Sequence, residues 1–181
     1  MANALTGAAR AAAIRGHAPP PEPRAQARTG PHRLRIAIFE ARDLALPFHA
    51  GLLIDAPEGR ILYDPAGFRR GETCQRTGDV HHPITEAEAE RYLARGGVEA
   101  LGGRWRLHLF EAEVPAAVAS QAHAAALGQP AAPALTCAYS VAAVLSELPG
   151  FTDIAPHIVT ARLLVQLRAR SDPRYTRRDL G

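Results

Sequence analysis

Four segments of the chain have the hydrophobic pattern of β-strands. Residues 34–39 alternate apolar side chains with others, 48–55 form a nearly continuous apolar run, and 105–113 alternate again. Residues 60–64 follow the turn-forming Pro-Glu-Gly at 57–59, which is short enough to join them to the preceding strand as a β-hairpin. The pattern therefore predicts four strands, two of which form a hairpin.

Four further segments have the composition and spacing of helices. Thr85, Thr136 and Thr160 stand where N-cap residues are favoured, and an Ala-rich run follows Pro115. The predicted helices cover residues 86–94, 115–127, 137–148 and 161–169. This order of strands and helices predicts an α+β fold in which a small antiparallel sheet packs against helices.

The two ends of the chain and one internal stretch lack these patterns. Residues 1–33 are rich in Ala, Arg, Gly and Pro and predict a disordered leader, and residues 171–181 predict a flexible tail. Residues 68–83 are polar and predict a loop. A single domain over residues 34–170 remains, which is long enough to enclose a hydrophobic core.

The charge distribution argues against a nucleic-acid-binding protein. All 21 basic residues are arginine, and the formal net charge is +3. The basic excess lies at the two ends, because residues 34–167 carry 11 Arg against 15 acidic residues. A nucleic acid would need a basic face on the folded domain, and the sequence predicts none.

Cellular location and covalent cross-links are weakly specified. No apolar run approaches the length of a membrane span, and the N-terminus has no continuous apolar stretch typical of a secretory signal. Two cysteines cannot form a disulfide framework. We therefore expect a cytoplasmic protein, with export as an effector left open, and the oligomeric state is unspecified.

Cys137 and His49 form the most informative pairing in the chain. Cys137 begins a predicted helix, where the helix dipole favours a thiolate. His49 is the best placed of eight histidines to act as its base, because it starts a strongly apolar strand; His108 is expected on the polar side of its strand. The structural alternatives are a small buried cysteine and a strand-end histidine bonded to backbone.

Asp64 is the candidate third member of this site. A hairpin turn centred on residues 57–59 places Asp64 roughly opposite His49, where a carboxylate could orient the imidazole and stabilise its charged form. The alternative is an ordinary strand exit in which the Asp serves the turn, since Pro65 follows it directly.

The order His49, Asp64 and Cys137 resembles the circularly permuted papain-like fold. That group includes NlpC-type cell-wall peptidases in permuted form and acyltransferases of the lecithin–retinol type. The similar stretches are 48–54, 61–67 and 136–145, and the resemblance spans about residues 46–165. It implies a permuted papain-like α+β fold with Cys137 as nucleophile, His49 as base and Asp64 as the third polar group, whose residue type varies among such proteins.

These observations predict a cysteine-dependent hydrolase or acyl transferase that works through an acyl-enzyme at Cys137. The substrate would be a small molecule, a peptide or an acyl lipid with an amide, ester or thioester, and no metal or organic cofactor is required. A non-catalytic binding or structural module on the same scaffold is the alternative. Cys74 with His81 and His82 makes only a weak metal-binding pattern.

Overall fold

The central strand of the sheet is paired along its whole length on both sides. β1 (Arg33–Ala41) is antiparallel to β2 (Leu46–Ala56) on one side and to β6 (Trp105–Glu113) on the other. Its apolar run matches the runs of both neighbours, so burial fixes the register. This computed structural model describes residues 30–67, 75–95 and 104–180.

Four shorter strands complete the sheet. They are β3 (Gly59–Tyr63), β4 (Gln75–Thr77), β5 (Val80–His82) and β7 (Arg174–Leu180). Within the described residues the sheet has seven strands in the order β4-β5-β3-β2-β1-β6-β7, and every pair is antiparallel. The predicted hairpin is confirmed as the pairing of β2 with β3.

Helices cover both faces of this sheet. They are α1 (Glu86–Arg95), α2 (Ala116–Gly128), α3 (Cys137–Ser146) and α4 (Thr160–Arg168). The side chains of Leu34, Ile36 and Ile38 pack into one core with α2, α3 and α4. Ala37 and Phe39 point to the other face, where α1 covers a second, smaller core. The predicted α+β class is confirmed, with a larger sheet than expected.

The predicted helix starts differ in how they are capped. Thr85 and Glu88 form a capping box, in which the Thr85 N–H donates to Glu88 Oε2 (2.6 Å) and the Glu88 N–H donates to Thr85 Oγ1 (3.2 Å). Thr136 precedes α3, but its hydroxyl donates to the Pro133 carbonyl instead of capping the helix. Thr160 is already the first residue of α4.

Two loop predictions were wrong. The polar stretch 68–83 contains β4 and β5, which pair with each other and extend the sheet beyond β3. The flexible tail predicted for residues 171–181 is instead β7, which pairs with β6 along its length. β4 and β5 have only three residues each, and β7 is an edge strand with a mostly polar sequence, so none of them carries the apolar alternation that marks inner strands.

His108 is buried, and its hydrogen-bonding neighbours on that side of β6 are polar. Its Nε2 lies 3.0 Å from Glu40 Oε2, and its Nδ1 lies 2.8 Å from the Tyr175 hydroxyl. Arg168 of α4 donates to the same hydroxyl at 2.9 Å. Burial lowers the pKa of His108 despite the neighbouring Glu40. This cluster therefore joins β1, β6, β7 and α4.

A buried ion-pair network holds α1 against the sheet. Arg35 of β1 is 2% exposed and donates to Glu86 (3.0 Å) and Glu90 (3.1 Å) on α1. Arg60 of β3 pairs with Asp55 of β2 and with Glu86. Because a buried arginine needs opposite charges near it, this network fixes α1 firmly over β1 and β2.

None of the helices in these described ranges has the length and apolar composition that a bilayer crossing needs. The predicted leader lies almost entirely outside the described residues, which begin at residue 30.

Candidate active site

His49 lies where the pairing of β1 and β2 becomes irregular. Phe39 pairs with His49, but the next residue of β1, Glu40, pairs with Pro47, so Phe48 is an extra residue in β2. Such a bulge bends the strand and changes the direction of nearby side chains. The imidazole is buried and stacks on the Phe39 ring, with the ring centres 6.0 Å apart.

Asp64 directly follows β3 and is completely buried. Its Oδ1 lies 2.7 Å from Nε2 of His49 and accepts a second hydrogen bond from the Tyr92 hydroxyl at 2.9 Å. An ionised carboxylate only accepts, so Nε2 of His49 carries the hydrogen of the first bond. Continuing the register beyond the last pair, Leu52 with Tyr63, would place Asp64 opposite Gly51, so Asp64 reaches His49 diagonally and does not lie directly opposite it.

Cys137 is the first residue of α3 and is 4% exposed. Its Sγ lies 3.8 Å from the Phe48 carbonyl oxygen, and the thiol is close enough to the imidazole of His49 for each group to shift the pKa of the other. Because Nε2 of His49 is engaged by Asp64, the other ring nitrogen, Nδ1, is the one left for the sulfur. The three side chains thus form a chain from carboxylate to imidazole to thiol.

The imidazole of His49 and the thiol of Cys137 come from elements on opposite sides of the sheet. The Phe39 pairing assigns His49 to the α1 face, whereas α3 packs on the other face. β3 pairs with β2 only between Leu52 and Ala56, so the first residues of β2 lie beyond the paired hairpin. The N-terminus of α3 approaches this open margin, and the thiol meets the imidazole there.

Electrostatics favour a charged thiolate–imidazolium pair. Burial alone would lower the pKa of His49, but the hydrogen bond and charge of Asp64, followed by those of Cys137, raise it to about 10. Burial alone would raise the pKa of Cys137, but His49 and the backbone amides of Ala50 and Ala138 lower it below the ordinary 9.0. The Cys137 thiol therefore ionises at a lower pH than an ordinary thiol.

The pKa of the Asp64 carboxyl group is likewise set by burial and by its hydrogen-bond partners. Burial alone would raise the pKa of Asp64, but the hydrogen bond and charge of His49, the hydroxyl of Tyr92 and the nearby His81 together lower it. Between the lowered pKa of Asp64 and the raised pKa of His49, the carboxylate is ionised beside a protonated imidazole, and each charge stabilises the other.

A cavity of about 310 Å³ opens onto Cys137 and His49. This volume is at the small end of the range for ligand pockets. Apart from the catalytic candidates, its lining is mostly apolar and small, and it consists of Phe48, Ala66, Gly67, Asp79, Ala132, Ala134 and Leu135. Leu135 is 72% exposed and has a φ of 68°, an uncommon conformation for a non-glycine residue, two residues before the first residue of α3.

Asp79 holds two walls of this cavity together. Its Oδ2 accepts the backbone N–H of Ala132 at 2.6 Å and that of Ala66 at 3.4 Å, and its carbonyl accepts the N–H of Asp64 at 2.9 Å. The loop before α3 and the loop after β3 are thereby fixed to each other. Asp79 is thus a structural support of the site.

Sequence reasoning missed Tyr92 and Asp79. Tyr92 occupies an ordinary helical position on α1, and Asp79 lies in the stretch expected to be a loop. Neither has a motif that signals its role, because both contacts depend on packing between distant elements. A polar Tyr on the buried face of an amphipathic helix is the one available hint, since a buried hydroxyl needs a partner.

The weak metal-site pattern gains no support from the described residues. Cys74 lies outside them, while His81 and His82 lie on β5. Across the described ranges, no group of three or more His, Cys, Asp or Glu side chains is arranged to hold a metal ion.

Comparison of the chain with known protein families, with curated proteins and with solved structures found no match.

Proposed function

We propose that the protein is a cysteine-dependent hydrolase or acyl transferase that forms an acyl-enzyme at Cys137. One observation carries this proposal: Cys137 and His49 line the same cavity, and the imidazole of His49 is held from behind by the carboxylate of Asp64 at 2.7 Å. A nucleophile, a base and an orienting acid in this order are what thiol acyl chemistry needs.

The first half of the reaction transfers the acyl group to sulfur. The Cys137 thiolate attacks the carbonyl carbon of an amide, ester or thioester, a C–S bond forms, and the carbonyl oxygen becomes an oxyanion. When that intermediate collapses, the bond to the leaving group breaks and the His49 imidazolium gives its proton to the departing atom. The product is a thioester at Cys137 with neutral His49.

The second half regenerates the free enzyme. His49 takes a proton from water, or from an acceptor alcohol or amine, while the oxygen or nitrogen attacks the thioester carbon. The C–S bond breaks, the acyl product leaves, and the thiolate–imidazolium pair forms again. Asp64 keeps the ring in one orientation throughout and stabilises its charged form.

The helix start supplies donors for the oxyanion. The first four N–H groups of an α-helix have no acceptor within the helix, and α3 makes its first bond from the Ser140 N–H to the Thr136 carbonyl (3.0 Å). The Cys137 N–H precedes that bond and belongs to the reacting residue itself. It is the donor that we assign to the developing negative charge.

Amide hydrolysis is the first choice among these reactions, and it comes from the resemblance to permuted papain-like proteins. The order of His49 on a strand before Cys137 at a helix start is the feature that supports this resemblance. The small cavity favours a compact group next to the scissile carbonyl.

The test is detection of the covalent intermediate. A Cys74→Ser background leaves Cys137 as the only thiol, because the chain has two cysteines. We expect p-nitrophenyl acetate to give a burst of nitrophenolate and an acetyl adduct that intact-mass and peptide analysis place at Cys137. The adduct should be absent in Cys137→Ala. A folded protein that acquires no adduct at Cys137, or labels there only after denaturation, would favour the non-catalytic binding module.

A further inference from the structure

We propose that Tyr92 is a positioning residue that fixes the Asp64 carboxylate, and through it the charge state of the Cys137–His49 pair. The proposal rests on the proposed function, because it assigns α1 a part in the same site. Tyr92 comes from the helix on the face of the sheet opposite α3 and is not one of the residues that line the cavity.

Space for the Tyr92 hydroxyl exists because residue 51 is glycine. Gly51 follows His49 by two residues and lies on the same face of β2. A Cβ built at Gly51 would lie 2.0 Å from the Tyr92 hydroxyl oxygen and 3.0 Å from its Cζ. Any side chain here would push the phenol away, so the 2.9 Å hydrogen bond to Asp64 depends on this gap.

The second carboxylate oxygen of Asp64 is held by shape instead of by a donor. A Cβ built at Gly67 would lie 1.7 Å from Asp64 Oδ2 and 2.2 Å from its Cγ, so this oxygen packs directly on the glycine. Among the described residues, Oδ2 is buried and has no hydrogen-bond partner. Asp64 therefore has one oxygen with two donors, His49 and Tyr92, and one oxygen confined by backbone.

Because only one oxygen of the Asp64 carboxylate has hydrogen-bond donors within the described part of the chain, Tyr92 is important for the orientation of that carboxylate. A carboxylate bonded only to His49 could rotate about its side-chain torsion and follow the ring, whereas a second donor from a fixed element removes that freedom. α1 is fixed by the pairs of Arg35 with Glu86 and Glu90. The Tyr92 ring also meets the Phe39 ring edge-on at 5.5 Å, and Phe39 stacks on His49.

The effect of the Tyr92 hydroxyl reaches the Cys137 sulfur through two intermediate groups, Asp64 and His49. The Tyr92 hydroxyl helps to keep Asp64 ionised, Asp64 keeps His49 protonated, and His49 keeps Cys137 a thiolate. Besides these four residues, the titratable side chains next to the site are His81, which lowers the pKa of Asp64, and Asp79, which lines the cavity. Loss of the phenol hydroxyl removes one of the two donors to the Asp64 oxygen that orients His49.

The experiment compares the pH profiles of Cys137 alkylation by iodoacetamide in the Cys74→Ser background. We expect Tyr92→Phe to move the midpoint towards that of an ordinary thiol and to slow alkylation about tenfold at neutral pH, as expected for loss of a bond to a charged group. Tyr175→Phe is the matched control, since it removes a hydroxyl that bonds His108 and Arg168 away from the site. It should change stability without moving the midpoint.

The outcomes separate this proposal from the proposed function. An unchanged midpoint in folded Tyr92→Phe, with a depressed midpoint in the parent, overturns the positioning role alone. An ordinary thiol midpoint in the parent itself overturns the proposed function. If Tyr92→Phe does not fold, Gly51→Ala decides, because it displaces the phenol while keeping its ring: a shifted midpoint supports the role, and an unshifted one contradicts it.

Discussion

Nε2 of His49 and Oδ1 of Asp64 lie 2.7 Å apart although the two residues are separated by fifteen positions and neither belongs to the paired part of the β2–β3 hairpin. The hairpin brings them together just beyond its last pair, Leu52 with Tyr63. Both groups are buried there, so their interaction is little screened by solvent. This pair is the support on which the Cys137 thiolate depends.

Replacing Asp64 with Asn should weaken both stability and reactivity. The amide cannot carry the negative charge that the buried imidazolium needs, and removing one partner of a buried pair costs about 3–5 kcal/mol of unfolding free energy. We expect that loss in urea denaturation, together with slower alkylation of Cys137 and a midpoint shifted towards 9.0. Asp153→Asn is the control, because Asp153 is 62% exposed and the pairing of an exposed carboxylate contributes about 0–1 kcal/mol. A stable, fully reactive Asp64→Asn protein would contradict the account.

The stability difference between the parent and His49→Gln should depend on pH with a defined sign. The pKa of His49 is raised from 6.5 to about 10 in the folded protein, so the folded state binds the proton more tightly than the unfolded state. The stabilisation from His49 is therefore complete below pH 6.5 and is lost as the pH rises towards about 10.

At acid pH, the contribution of Asp64 to the free energy of unfolding changes with pH in the opposite direction. Its pKa is lowered by folding, so its contribution is present above the ordinary 3.8 and is lost as the pH falls through the folded value. Urea denaturation at a series of pH values measures both the stability lost at high pH through His49 and the stability lost at low pH through Asp64. A difference between parent and His49→Gln that stays constant from pH 6.5 to 10 would show that His49 is not held protonated.

Asp79 is expected to matter for acyl transfer more than for thiol ionisation. Asp79→Ala removes the acceptor of the Ala132 and Ala66 N–H groups, so both walls of the cavity should loosen. Leaving these groups unpaired should cost about 1–3 kcal/mol of unfolding free energy. We expect slower acetylation by p-nitrophenyl acetate with a retained alkylation midpoint, and a smaller effect for Asp79→Asn, whose amide oxygen still accepts. Equal acetylation rates in parent and Asp79→Ala would rule out this supporting role.

Removal of β7 distinguishes an edge strand from a flexible tail. A chain ending at Asp172 would lose the Tyr175 ring, which stacks on Phe110 with centres 4.9 Å apart, and the Tyr175 hydroxyl bonded to His108. It would also leave β6 as an exposed edge. We expect a clearly lower midpoint of thermal unfolding and a greater tendency to aggregate. A truncated protein as stable as the full chain would restore the tail interpretation.

What the sequence could predict was mostly local. β1 and β6 alternate apolar side chains with others, β2 is a nearly continuous apolar run, and the helices follow N-cap threonines or, for α2, have an Ala-rich composition. The His49–Asp64 pair follows from one short hairpin. The meeting of Cys137 with His49 depends on packing across the sheet, and it was expected only because of the helix dipole and the resemblance.

What the sequence could not predict depends on contacts between distant elements. β7 was missed because four of its seven residues, Arg174, Arg177, Arg178 and Asp179, are charged, as is usual for an edge strand that avoids further pairing. Tyr92 and Asp79 act through groups far away in the chain. Gly51 of β2 matters because the phenol of Tyr92, from α1, lies where a side chain would be. Such relations have no periodicity and therefore leave no local signal.

The most direct test of the central claim is the protonation state of His49 in the native protein, read by nitrogen NMR of the imidazole as a function of pH. The account predicts that both ring nitrogens are protonated at neutral pH and that the ring loses its proton only near pH 10, with Cys137 as a thiolate beside it. A neutral His49 at pH 7, titrating near the ordinary 6.5 with Cys137 as a thiol, would contradict it.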